Sequence, residues 1–318
     1  MASYLLRRIF LLVPTLFLVT VIVFLSVRLM PGSVVDLIIS DMGFQTTPAN
    51  REAITHALGL DVPWYIQYWD WSKDIVLHGN LGNSLRTGQS VTDDVLARLP
   101  VTLELSLLSL IISNLIAFPI GIYSAIRQNT WLDFIGRGVA IIFLAAPAFW
   151  LASMLIVFGG RYWSWSPSIE YVPLFKNPIQ NLQMFLLPAF LVGMAGAGSL
   201  MRGLRTITLE VVRQDYVRTA WSKGLTERVV VLRHALRNAM IPLVTMLVPQ
   251  LGALVGGSVI MEQIFAIPGM GRYLLTVIVQ RDYLAVSGTN LLFAVFTMFL
   301  VLVTDISYAF LDPRVRYR

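Results

Sequence analysis

Six stretches of this chain run for about twenty residues or more almost without an ionisable side chain: Ile9–Val27, Pro100–Ile126, Gly138–Gly160, Leu182–Met201, Asn238–Met261 and Tyr283–Thr304. Glu104 is the one interruption. A helix needs about 20 mostly apolar residues to cross the hydrocarbon core of a bilayer. The Pro, Gly and small polar residues scattered through these runs are tolerated in bundled membrane helices, where neighbours satisfy the freed backbone groups. The chain therefore reads as an all-α polytopic membrane protein with six spans, and an even number places both termini on one side. Composition agrees: 56% of residues are hydrophobic and only 13% charged, against about 25% charged in a typical soluble domain. Most of such a chain must face lipid.

Lysine and arginine in the loops set the orientation. Arg7, Arg8, Arg127, Arg137, Arg202, Arg205, Arg213, Arg218, Lys223, Arg228, Arg233, Arg237, Arg314, Arg316 and Arg318 gather on one side. The other side carries fewer basic residues and most of the acids, among them Asp36, Asp41, Glu52, Asp61, Asp70, Asp74, Asp93 and Asp94. The basic side is expected to be cytoplasmic, with both termini there. Arg7 and Arg8 precede an uncharged run longer than a signal-peptide core, and no small-x-small cleavage site follows, so the first span reads as a retained anchor. Tyr162, Trp163 and Trp165 follow the third run, where an interfacial aromatic belt belongs.

Several chemistries are excluded. The chain has no cysteine, which removes thiol nucleophiles, CxxC redox pairs and thiolate metal sites. Its three histidines, His56, His78 and His234, are scattered, so no His-based metal site forms from spacing. No GxxxxGK[ST] loop is present to cradle nucleotide phosphates. The net charge of +6 reflects basic loops on one membrane face, not a nucleic-acid surface.

Organisation follows from the spans: an anchor helix at 1–30, an outer segment at 31–99, a five-helix core at 100–310 enclosing a long inner loop at 202–240, and a tail at 311–318. In the outer segment Thr47-Pro48 suits a helix start and Gly59 a stop, Asp61-Val62-Pro63 opens a second short helix, and Gly79–Asn83 reads as a turn. In the inner loop, Leu209, Val212, Tyr216, Ala220 and Gly224 recur at helical spacing. Gly224 suits the left-handed residue that ends a helix. Thr226 can cap the next one, with Glu227 favourable in its first turn. The expected unit is a short helix, a tight turn and a second helix running into Pro242. Ala220 and Gly224, small and one turn apart, leave room for another protein to approach. A basic amphipathic loop also suits anionic lipid headgroups. A DNA-reading helix-turn-helix does not fit, because both ends are tethered to spans and no basic recognition face stands free.

These residues carry a resemblance. Asp215-Tyr-Val-Arg-Thr-Ala220-Trp-Ser-Lys-Gly224-Leu resembles the EAA loop of ABC importer permeases, and His234-Ala-Leu-Arg-Asn-Ala-Met-Ile-Pro242 resembles its continuation in the dipeptide/oligopeptide/nickel branch. In order along the chain come further similar stretches: Gly59-Leu-Asp-Val-Pro63, Gly79-Asn-Leu-Gly-Asn-Ser84, Arg98-Leu-Pro-Val-Thr-Leu-Glu104, Pro147-Ala-Phe-Trp150, Glu262-Gln-Ile-Phe-Ala-Ile-Pro-Gly-Met-Gly271, Arg281-Asp-Tyr283 and Leu311-Asp-Pro-Arg314. Trp221 stands where the branch usually has a small or charged residue.

The resemblance implies the type I ABC importer permease fold in a bacterial inner membrane. It implies a non-catalytic subunit forming half of a pathway for di- or oligopeptides. Its partners would be a second permease, a paralogue by family habit, two ATPase subunits that bind ATP and Mg, and an extracytoplasmic binding protein. The ATPase-coupling residues it implies here are Asp215, Tyr216, Arg218, Thr219, Ala220, Lys223, Gly224, His234, Arg237 and Asn238. Relatives of the same type carry nickel chelates, glutathione or oligosaccharides, which stay open as substrates. From the residues themselves, Glu104 and Glu262 are pathway or gate candidates, since ionisable groups in spans are costly, but both, like Asp305, lie near span ends, where an interfacial or helix-packing role fits equally. A secondary transporter would call for mid-span acids and an internal repeat, and neither is visible.

Overall fold

The computed structural model describes residues 2–29, 34–41, 47–57 and 59–311. Its helices are, in order, α1 (Ala2–Arg28), α2 (Val34–Asp41), α3 (Pro48–Ala57), α4 (Trp64–His78), α5 (Val91–Ile126), α6 (Trp131–Ala145), α7 (Ala148–Trp163), α8 (Pro178–Val212), α9 (Asp215–Ser222) and α10 (Glu227–Val229). A π-helical segment, Val230–Ala235, then leads into α11 (Leu236–Ile264), followed by α12 (Met270–Val279) and α13 (Tyr283–Leu311). Among the described residues the only extended pairing is one antiparallel bridge, Asn83 to Ser90.

Four described helices are long and apolar enough to cross a membrane, or five if α6 and α7 form one broken span. That break corrects the continuous third span expected over Gly138–Gly160: α6 and α7 meet at 87°. The cause lies at Ala146-Pro147. Proline cannot donate to the helix ladder, and it forces the preceding residue toward extended backbone; Ala146 has φ −81° and ψ 117°. The expected span Asn238–Met261 falls inside α11, where several side chains lie outside the described residues.

Local signals set the helix ends. Asn177 accepts a hydrogen bond from the Gln180 N–H with Pro178 at the first helical position, the pairing that starts helices best. Asp93 and Asp94 occupy the first turn of α5, where carboxylates complement the helix dipole. At the end of α4, Gly79 takes the left-handed conformation at φ 63°.

The chain packs as two units. One comprises Thr102–Ile267 together with the chain from Leu300 onward; the other comprises Ala2–Val101 and Pro268–Phe299. In the first, a core of Ala117, Ala140, Ala197, Leu200, Met201, Leu204 and Ala239 is built largely from small residues. Lipid tails are as apolar as these side chains, so close van der Waals packing must supply the association. A Cβ placed on Gly198 would lie 2.7 Å from the Ala140 carbonyl oxygen, and one on Gly193 would lie 2.7 Å from that of Ser109. The small residues of α8 thus serve packing inside this chain. Gly252 and Gly256 on α11 face open space instead.

In the second unit, Phe24 and Val27 of α1 pack with Trp71 of α4, Val91 and Val95 of α5, Val277 of α12 and Val286 of α13. Asp282, fully buried, accepts from the Ser84 hydroxyl at 2.5 Å and from the Leu85 N–H at 3.2 Å. It also caps α13 through the Ala285 N–H at 3.2 Å. Asp282 thus ties the turn after Gly79 to the start of α13.

Candidate functional site

The inner loop departs from its expected shape in detail. Helix α8 continues to Val212, breaks at Arg213-Gln214, and α9 restarts at Asp215. Val217 and Ala220 of α9 turn inward on Val230, with Leu225 closing the side, so the loop has a small core of its own. This corrects the reading of Ala220 as an open contact point: only 5% of it is exposed. The outward face of α9 carries Tyr216 and Trp221, exposed by 43% and 44%. Asp215 and Arg218 pair at 3.5 Å on the same surface, where such pairs add little stability. Thr219 spends its hydroxyl on the Asp215 carbonyl within the helix.

Gly224 ends the helix with φ 74°, and nothing lies within 4 Å of a Cβ built on it. Glycine is therefore favoured by the backbone, since the left-handed region costs most other residues about 1–2 kcal/mol. The space around it is free for a partner. Thr226 occupies the cap position of α10, yet its hydroxyl makes no capping bond. The π segment that follows buries Val230, Val231 and Ala235 and leaves Leu232 63% exposed, with His234 half-buried beside it. Short π-helical insertions occur frequently at functional sites, and this one joins the loop directly to α11. The side chains of Arg237 and Asn238 lie outside the described residues.

Two contacts brace the loop against the α5–α6 connection: Arg127 donates to Glu227 at 3.3 Å, and Arg213 to Gln128 at 3.2 Å. Beneath them sits a group that sequence reasoning missed. Asp133, fully buried on α6, accepts from Arg205 Nε at 2.8 Å and Nη2 at 2.9 Å, from the Asn129 N–H at 3.0 Å, and from the Ser124 hydroxyl. The two-pronged arginine contact is the strongest geometry an ion pair adopts, and it ties α6 to α8 just before the loop. No local pattern announces it, because the partners are 72 residues apart.

Glu104 and Glu262 fall in different clusters. Glu262 is fully buried and accepts from Thr102 at 2.8 Å and Ser258 at 3.3 Å. Thr102 begins a buried polar stripe on α5 that continues through Ser106, Ser109 and Ser113, the last accepting from Gln250 of α11 at 2.7 Å. Glu104 is half-buried and lies near Asn181 and Tyr171. Burial, and secondarily the Glu104 charge, raise the Tyr171 pKa above its ordinary value. Among the described residues no cluster of three or more His, Cys, Asp or Glu forms a metal site.

Residues 117–317 match the family described as binding-protein-dependent transport system inner membrane component. Residues 1–106 match the family's N-terminal region, described as binding-protein-dependent transport system membrane component, N-term. The chain belongs to this family. Full-length relatives agree: it is 36% identical over 317 residues to a putative peptide transport system permease protein of Brucella abortus, covering 100% of both chains. It is 36% identical over 318 residues to a glutathione transport system permease protein of Escherichia coli, again with 100% of both covered. It is 32% identical over 343 residues to a dipeptide transport system permease protein of Alkalihalophilus pseudofirmus, also covering 100% of both. The solved inward-facing methionine ABC transporter MetNI shares the fold at TM-score 0.57 and 16% identity, covering 69% of this chain and 96% of that one. The family resemblance read from the loop motifs is borne out, and as a family member the chain is a transport component of the inner membrane.

Proposed function

We propose that this permease forms half of the translocation pathway of an ATP-driven importer for short peptides. It would have six spans and both termini in the cytoplasm of a bacterium. Two ATPase subunits that bind ATP and Mg, a second permease paralogous to this one, and an extracytoplasmic binding protein complete the assembly, and the chain itself has no catalytic role. The observation that carries the reading is the inner loop: a helix with a private core, an outward face of Tyr216 and Trp221, and open space at Gly224. Such an element moves as one piece. Seated in a groove of an ATPase, it follows the closure of the two ATPases. The displacement passes through Val230–Ala235 into α11, and through Glu227 and Arg213 into the α5–α6 connection. Alternating access follows as rigid-body rocking of one permease against the other. The outer segment 31–99 supplies a docking surface for the binding protein.

A second substrate, glutathione, is favoured by the equal identity to the glutathione permease; it is a tripeptide whose first residue is joined through its side-chain carboxyl. The test is uptake of labelled di- and tripeptides and glutathione into vesicles holding the assembled transporter, with and without enclosed ATP. ATP-dependent peptide uptake is expected. Uptake that proceeds equally without ATP contradicts the proposal.

A further inference from the structure

The outer segment contains a helix whose surface is divided unusually. Along α4, Tyr68, Trp71 and Ile75 pack inward with Phe24. Tyr65, Trp69 and Val76 recur at helical spacing on the adjacent face and are exposed by 58%, 67% and 80%. Asp70, Asp74 and His78 form the opposite edge, with His78 and Asp74 3.5 Å apart. That edge borders a cleft of about 400 Å³ lined also by Arg28, Gln67 and Asn80. Helix α4 thus presents an exposed face of Tyr65, Trp69 and Val76 beside its packing face and an acidic edge opposite it.

Its depth is set by what it touches. The Thr20 and Tyr68 hydroxyls are 2.9 Å apart. The Phe24 ring lies 5.3 Å from that of Tyr68 and 5.8 Å from that of Trp71. Arg28 donates to Gln67. Thr20, Phe24 and Arg28 are the last turns of the apolar run Phe10–Arg28, so at 1.5 Å per residue α4 reaches about 12 Å back from the end of that span. Phe17, Leu18 and Ile22 of α1 are themselves exposed apolar side chains, as expected of a lipid-facing span.

The geometry points to α4 as an interfacial helix, embedded by Tyr65, Trp69 and Val76 in the leaflet at the C-terminal end of α1. Its partner is the acyl–headgroup boundary of the bilayer. Trp and Tyr favour that depth because one end of each ring system is apolar and the other polar. Lys73, between the two faces, can extend its amine to the headgroups while its stem stays apolar. The inference needs α1 in a bilayer and does not depend on what is imported. Its role is to hold the outer segment level with the membrane surface.

The absence of native cysteine makes the test direct. Single variants Tyr65→Cys, Trp69→Cys, Val76→Cys, Asp70→Cys and Asp74→Cys are spin-labelled in the assembled transporter. They are reconstituted in phosphatidylethanolamine–phosphatidylglycerol vesicles, and relaxation by oxygen is compared with relaxation by a water-soluble nickel chelate. Oxygen should dominate several-fold at positions 65, 69 and 76, and the chelate at 70 and 74. Chelate dominance at all five positions overturns the inference in favour of a water-exposed helix. Low access of both reagents at 65, 69 and 76 overturns it in favour of a protein partner.

Discussion

The Asp133–Arg205 pair offers the sharpest quantitative expectation. Replacing Asp133 by Asn removes the charge and turns an amide N–H₂ toward donors. Four hydrogen bonds converge on this carboxylate, two of them from one guanidinium. Breaking a buried ion pair by removing one partner costs roughly 3–5 kcal/mol. At about 2–4 °C per kcal/mol for a unit of this size, the melting temperature should fall by on the order of 10 °C. Trp131, exposed by 67% at the start of α6, gives a fluorescence signal two residues from the substitution. Arg205→Lys keeps the charge but cannot grip both oxygens, so it should lie between wild type and Asp133→Asn. Combining Asp133→Ala with Arg205→Ala should cost less than the sum of the single changes, because the two act as one unit. If Asp133→Asn melts within about 2 °C of wild type, the pair does not hold α6 on α8.

Other expectations are simpler. Gly198→Ala places a Cβ against the backbone of α6 and should cost about 1–3 kcal/mol by overpacking, whereas Gly252→Ala, in open space, should leave the isolated chain's thermal stability unchanged. Ala220→Leu should expose the inner loop to limited proteolysis by disrupting its private core, while Trp221→Ala should leave the proteolysis pattern intact and weaken only association with the ATPase. The Tyr273 hydroxyl, pushed up to about 12 by burial and by Asp94, favours the folded state fully below the ordinary tyrosine value and loses that contribution as pH climbs through about 12. Spectrophotometric titration should show a phenolate forming near pH 12 that Tyr273→Phe removes.

What the sequence made legible was set by covalently local physics. Gly59 and Gly224 as helix stops, the turn from Gly79 and the Thr47-Pro48 start appear where expected, because each depends on a few neighbouring residues. The break at Pro147 was visible as a residue but not as a bend, since membrane helices often absorb a proline, as α8 does at Pro188. Ala220 was misread because smallness at helical spacing suits a private core and a partner surface equally; only the position of Val230 decides. The Asp133–Arg205 and Asp282–Ser84 pairs join residues 72 and 198 apart, a distance over which a single sequence carries no pairing signal. The four-fold polar stripe on α5 hid inside an apolar run because hydroxyl residues do not interrupt a span.

The measurement that bears most directly on the account is a mild-detergent purification of the tagged chain, wild type beside Gly224→Arg, with mass spectrometry of the subunits retained. Gly224 has open space around it, so the arginine can be accommodated within the chain, at the cost of left-handed backbone strain; a Gly224→Asn control adds a side chain with little of that strain. The account predicts a P-loop ATPase with wild type and Gly224→Asn, lost with Gly224→Arg. Equal recovery of that ATPase with all three would contradict the coupling role of the loop.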